Sequence, residues 1–231
     1  MTTVAIIPAR GGSKRIPRKN VRQLSGKPAI AYPIELALQS GLFERVIVTT
    51  EDQEIAEIAI AFGAEVPFIR SAELSNDFAT TIDVISDAAH RLELRNSDFL
   101  CCIYPITPLL SVERLLQANE LLKSGTWDYV FPASEYTMPI ERAFRKDTSG
   151  KVSFLVPDYL SVRTQDIEKT FYDPGQFYFG KVQAWKSKKS ILSGNSTFIE
   201  LLRHEVIDID EEEDWEFVAQ ITELNRRRID E

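Results

Sequence analysis

The sequence predicts a doubly wound α/β domain built on a mainly parallel sheet. Two observations carry that expectation. Over roughly the first 130 residues, short apolar runs alternate with longer segments of helical periodicity, each closed by turn residues. A basic loop containing two glycines directly follows the first apolar run, where open α/β sheets place their ligands.

The elements follow in order. "TVAIIPA" reads as a buried strand, its apolar run bounded by turn residues. Beyond the basic loop, "AIAYPIELALQSG" has a helical pattern with Gly41 at its C-terminal stop. "RVIVTT" is the next strand, and "DQEIAEIAIAFG" the next helix, stopped by Gly63. A short strand, "VPFIR", leads through a polar loop to the helix "TTIDVISDAAHRLEL". "DFLCCIY" is a strand ending at Pro105. Ser111 stands where it would cap the helix "VERLLQANELLKSG", with Glu113 favourable in the first turn. "DYVFPAS" completes the alternating part as a strand.

The rhythm then breaks. Residues 132–174 hold short polar pieces, turns such as "TSGK" and isolated aromatics, which predicts a small inserted arm serving dimerisation or substrate closure. Strand character resumes in "QFYFG" and "EVIDID", and "EEDWEFVAQITELNRRR" is a closing helix. The whole of 1–231 is read as one domain carrying this insertion. No internal repeat or low-complexity tract interrupts it.

Composition narrows the class. Apolar residues make up 44% and charged residues 27%, which suits a soluble globular chain. Cys101 and Cys102 are the only cysteines; neighbours on a strand point to opposite faces, so neither a disulfide nor a metal site is expected of them. That usage, with no signal-like or membrane-length apolar run, predicts a cytoplasmic protein. His90 and His204 read as structural, and no Ser/His/Asp or Cys/His set suggests itself.

Charge is unevenly placed. The net charge is −8, yet nothing from Met1 to Ile34 is acidic. Arg10, Lys14, Arg15, Arg18, Lys19, Arg22 and Lys27 crowd one stretch, where an even spread would put about two bases. Gly11 and Gly12 would let backbone amides approach an anion, and Lys14, Arg15 and Lys19 would neutralise it. The loop fits neither the Walker A pattern nor the dinucleotide fingerprint. A nucleic-acid patch normally brings stacking aromatics and a wider basic surface. A nucleoside triphosphate fits better, since its compact charge calls for several cations.

The counterpart lies in "HEVIDIDEEEDWE", residues 204–216. Asp208 and Asp210 are two apart on an expected strand and would face one side. Two carboxylates completed by water and phosphate oxygens suit Mg²⁺. Asp210 can instead be read as a helix N-cap with Glu213 at the third helical position. Glu211, Glu212, Glu213 and Asp214 are read simply as acids favouring a helix start. Triphosphate loop and carboxylate pair together point to nucleotidyl or phosphoryl transfer. A nucleotide-binding module without turnover is the alternative from another class.

"IIPARGGSKRIPRKN" resembles the N-terminal signature of the CMP-sugar synthetases, a Rossmann-like nucleotidyltransferase family. The similarity continues through "GKPAIAYPIELALQSGLFERVIVTTEDQEIAEIAIAFGAEVPFIRSAEL", "YPITPLL", "RTQD", "GQFYFG" and "IDIDEEEDW", covering nearly the whole chain. "CCIYPITPLL" and "DPGQFYFG" look most like the branch acting on pseudaminic acid. The resemblance implies that CTP and an acidic sugar give the CMP-sugar and pyrophosphate, with Mg²⁺ as cofactor. It implies that Arg10, Ser13, Lys14, Lys19 and Asn20 hold the triphosphate and orient CTP, and that Arg70 and Thr81 lie near the cytosine. Asp208 and Asp210 would hold the metal. With Arg10, Lys14 and Lys19, they make up the implied catalytic set. Sugar binding would draw on Tyr104, Gln165 and Gln176. Arg142 and Arg163 would meet the sugar carboxylate across a homodimer. Sialic acid synthetases have glutamine where this chain has Tyr104, and asparagine-glycine where it has Pro174-Gly175. These departures disfavour N-acetylneuraminic acid; sialic, legionaminic or octulosonic acid remains the alternative sugar.

Overall fold

The computed structural model describes residues 1–230, and side chains up to residue 224. β1 (Thr3–Pro8) opens the sheet and is followed by the basic loop and a small hairpin, β2 (Gln23–Leu24) and β3 (Lys27–Pro28). Then come α1 (Ala31–Gln39), β4 (Arg45–Thr49), α2 (Gln53–Ala61), α3 (Thr81–Arg91), β5 (Phe99–Ile103), α4 (Val112–Lys123) and β6 (Tyr129–Glu135). The arm carries β7 (Phe144–Lys146) and β8 (Val152–Phe154), and β9 (Phe171–Tyr172) returns to β6. β10 (Phe177–Lys181), α5 (Val182–Lys186), β11 (Ser196–Leu201) and α6 (Glu212–Asp230) complete the chain.

The main sheet runs β11-β6-β10-β5-β1-β4. β1 is parallel to β4 and β5, and β11 to β6, while β10 runs antiparallel between β5 and β6. Side chains alternate across it as strand geometry requires. Ala5, Ile7, Val46, Cys101, Ile103 and Phe179 pack with α1, α2 and α4 on one face. Val4, Ile6, Ile47, Cys102 and Tyr178 pack with α3 and α5 on the other. The expected doubly wound architecture is therefore present, and the paired cysteines do point to opposite faces.

Helix ends follow local chemistry. Asp52, Thr80 and Ser111 accept from the backbone N–H three residues on. Gly41 and Gly63 take the left-handed conformation just past α1 and α2.

Three expectations are corrected. "VPFIR" is not a strand: only isolated bridges, Ile47 to Glu65 and Thr50 to Ile69, touch the β4 edge. Pro67 in its middle has no N–H to donate to a ladder. "EVIDID" is not a strand either; the chain from Val206 to Asp210 lies outside every ladder. The parallel partner of β6 is instead "STFIEL". The arm, expected over 132–174, leaves the sheet after Glu135 and rejoins it at Phe171.

A third apolar cluster positions the charged segments. Ile16, Leu24 and Ala29 from the basic loop and hairpin pack against Ile209, Trp215 and Val218. This cluster brings the two charged regions of the sequence together.

Candidate active site

A cleft of about 580 Å³ opens beside the C-terminal ends of β1 and β5, the position where parallel strands deliver ligands. Arg10, Ser13, Lys14, Lys19, Asn20, Arg70, Thr81, Tyr104, Gln176, Asp208 and Asp210 all line it. Arg142, Arg163 and Gln165 do not: they sit in the arm, outside the cleft of their own chain. Arg142 donates to the Val162 carbonyl at 2.9 Å, Arg163 pairs with Asp166 at 2.7 Å, and Gln165 is exposed on a short turn.

The basic wall divides into buried struts and more exposed cations. Asn20 is buried, and its side-chain amide donates to the Arg10 carbonyl at 2.9 Å, fixing the loop. Arg70 is 5% exposed and donates to the Ala9 and Thr49 carbonyls, Ser75 and Glu51. It ties the ends of β1 and β4 together; burial lowers its pKa, against the pull of Glu51. Arg10 and Lys14 project into the cleft, and both meet Asp77, at 2.8 and 2.5 Å. These two cations hold the Asp77 carboxyl below its ordinary range.

Gly11 acts differently from expectation. The Gly11 amide donates to Glu51 at 2.8 Å rather than facing an incoming anion. A Cβ at Gly11 would lie 2.3 Å from the Asp52 carboxylate, so the residue is small because α2 starts against it. Gly12 has open space around it.

The acidic wall owes its geometry to Ile209. That side chain is 4% exposed in the third cluster. Asp208 and Asp210 flank it, and both line the cleft. The two carboxylates thus share a side without any strand. Asp210 is not the helix cap: the Asp214 carboxylate accepts from the Asp210 and Glu211 amides at 3.0 and 2.8 Å. Asp210 instead meets Arg15 at 2.5 Å. Lys19 donates to the Ile209 carbonyl, and burial lowers its pKa while Asp210 and Asp208 oppose that shift.

The carboxylate pair fits Mg²⁺. Partial desolvation raises the Asp208 pKa, and Asp210 raises it further. Lys19 and Arg15 offset part of this rise, and a dication would offset more. Among the described residues no group of three or more metal-ligating side chains occurs. A two-carboxylate site completed by water and phosphate oxygens is the donor set Mg²⁺ prefers.

Beyond the cations, the Thr81 and Tyr104 hydroxyls lie 3.0 Å apart. Gln176 is buried, and its side-chain amide donates to the Glu205 carbonyl at 2.7 Å. Arg114 grips the Glu205 carboxylate with two hydrogen bonds of 2.8 and 2.7 Å. Tyr178 donates to Asp173 at 2.6 Å behind Tyr104.

Residues 4–152 match the family model described as cytidylyltransferase. The chain belongs to the cytidylyltransferase family. It is 40% identical to the pseudaminic acid cytidylyltransferase of Campylobacter jejuni serotype O:2, over 97% of this chain and 98% of that one. It is 31% identical to the CMP-N,N'-diacetyllegionaminic acid synthase of Legionella pneumophila, over 99% and 100% of the two chains. A solved CMP:2-keto-3-deoxy-manno-octonic acid synthetase complexed with CTP superposes with TM-score 0.72 at 16% identity, over 97% and 100% of the two chains, which establishes the common fold.

Within this cytidylyltransferase, sequence reasoning missed the pairing of two charged groups of the cleft. Asp77 was not singled out, and Arg15, expected to neutralise an anion with Lys14 and Lys19, was not expected to pair with Asp210. Neither carries a local signal, because each is defined by a partner distant in sequence. Arg18 pairs with Asp52 and Glu54, and Arg22 pairs with Glu212 and lies over the Trp215 ring.

Proposed function

We infer that this cytidylyltransferase transfers CMP from CTP to the anomeric hydroxyl of pseudaminic acid, releasing pyrophosphate. The observation that carries the chemistry is one cleft with cations on one wall and two carboxylates on the other. The choice of sugar rests on the full-length likeness to a pseudaminic acid cytidylyltransferase, greater than that to the legionaminic acid enzyme.

In this reading Arg10, Lys14 and Lys19 receive the triphosphate and stabilise the charge that develops as pyrophosphate leaves. Ser13 and Asn20 shape the loop that presents them. Arg70 backs the floor of the nucleotide site, and the Thr81 hydroxyl offers a hydrogen bond to the base edge. Asp208 and Asp210 would hold Mg²⁺, with Arg15 passing from Asp210 to the phosphates. When bound, Mg²⁺ would neutralise phosphate charge and polarise the α-phosphoryl group. Tyr104 and Gln176 form the sugar end.

A homodimer completes the site. Arg142, Arg163 and Gln165 of each arm would enter the cleft of the partner and meet the sugar carboxylate. Support comes from the exposed apolar side chains of the arm, among them Ile140, Phe144, Val152 and Leu160, which a second copy would cover. The enzyme would act in the cytoplasm, in keeping with its two buried free thiols. Among the described residues no helix is long and apolar enough to cross a membrane.

The test is product analysis with purified protein, CTP, Mg²⁺ and pseudaminic acid. CMP-pseudaminic acid and pyrophosphate in equal amounts support the reading. CTP binding without any CMP-sugar, from this or another acidic sugar, would identify a binding module and overturn it.

A further inference from the structure

Asp77 stands where the nucleotide's phosphates are expected to stand. Its two carboxylate oxygens take Arg10 at 2.8 Å and Lys14 at 2.5 Å, two of the three cations assigned to the triphosphate. An anion that satisfies a cation in the empty site must be displaced before a ligand anion takes its place. We propose that Asp77 is an internal competitor: a carboxylate that pairs with Arg10 and Lys14 and must give them up to phosphate. The proposal deepens the triphosphate reading and rests on it only in assigning the natural ligand to CTP.

The surrounding loop is suited to that exchange. The Asn76 side chain accepts from the Phe78 and Ala79 amides at 2.8 and 3.1 Å, shaping a tight turn that presents Asp77. Phe78, at its tip, is 92% exposed and gives the turn no hydrophobic anchor. The side chains of Arg10, Asp77 and Lys14 are 43%, 43% and 78% exposed, so water can solvate each as it separates. Such ion pairs are individually weak. They hold two flexible side chains in place without making displacement slow. The same exchange returns after the reaction, when the Asp77 carboxylate competes with departing pyrophosphate.

The competition has a measurable sign. Asp77→Asn keeps the size of the side chain and removes the competing charge, so ligands bearing phosphate chains should bind more tightly. Two exposed ion pairs predict an increase of about three- to tenfold. Glu73→Gln is the control, since it removes one charge from the same segment without an ion pair to Arg10 or Lys14.

Titration calorimetry with CTP, inorganic pyrophosphate and cytidine separates the outcomes. Asp77→Asn should strengthen CTP and pyrophosphate binding in parallel and leave cytidine unchanged, and Glu73→Gln should change each by less than about twofold. Weaker pyrophosphate binding in Asp77→Asn, unchanged binding, or equal tightening in Glu73→Gln would overturn the proposal. Pyrophosphate reads Asp77 even if CTP does not bind, a result that would refute the CTP reading alone.

Discussion

Arg15 meets Asp210 across the cleft, its Nη2 2.5 Å from the carboxylate, and so joins the basic loop after β1 to the acidic segment before α6. Between them Lys19 reaches the carbonyl of Ile209, whose side chain is buried against Ile16 and Leu24. The third apolar cluster therefore fixes where both charged walls stand. Charge placement in this site is a packing result before it is an electrostatic one.

Asp208→Asn and Asp210→Asn should each lower kcat by about 100-fold or more, because each removes half of the carboxylate pair proposed to hold Mg²⁺. Both residues face the cleft, so the thermal midpoint should stay within a few degrees. Pyrophosphate release and thermal melting check this. Near-normal turnover by either variant with Mg²⁺ would contradict its role.

Chelation with EDTA should abolish turnover of the native enzyme, and added Mg²⁺ should restore it. Turnover that persists in EDTA would remove the metal from the account.

Gly11→Ala should destabilise the fold by about 1–3 kcal/mol, because its Cβ would displace the Asp52 carboxylate that caps α2. Gly12→Ala, with nothing within 4 Å, should stay within about 0.5 kcal/mol. Denaturant melts of the two variants check the contrast.

Arg114→Met should cost about 1–3 kcal/mol by removing two of the three hydrogen bonds to the Glu205 carboxylate, leaving the one from the Leu202 amide. Arg114 lowers the Glu205 pKa below its ordinary 4.5. The unfolded chain then binds this proton more readily than the folded one. The stabilisation is present above pH 4.5 and is lost as pH falls through the depressed folded value. The gap between native and variant stability should narrow as pH falls below 4.5 and through the depressed folded value; a constant gap there would contradict the linkage.

Much of this was legible in the sequence, for local reasons. Alternating apolar runs, the Ser111 cap and the stops at Gly41 and Gly63 act within a few residues. The cations of the loop and the pair Asp208 and Asp210 were legible because charge density marks them. What escaped depends on distant partners. "EVIDID" alternates like a strand, but no neighbouring strand pairs with it. "STFIEL" pairs with β6 only once the sheet has formed. Asp77 and Arg15 acquire their places only when the loop before α3 and the segment before α6 close on the cleft.

The measurement that tests the central claim most directly is kcat/KM for pseudaminic acid against N-acetylneuraminic acid, followed by pyrophosphate release with CTP and Mg²⁺. The account expects a preference for pseudaminic acid of at least about tenfold, and Tyr104→Gln should narrow it. Equal or faster turnover of N-acetylneuraminic acid would contradict the assigned sugar, and no release with either sugar while CTP binds would contradict the assigned reaction.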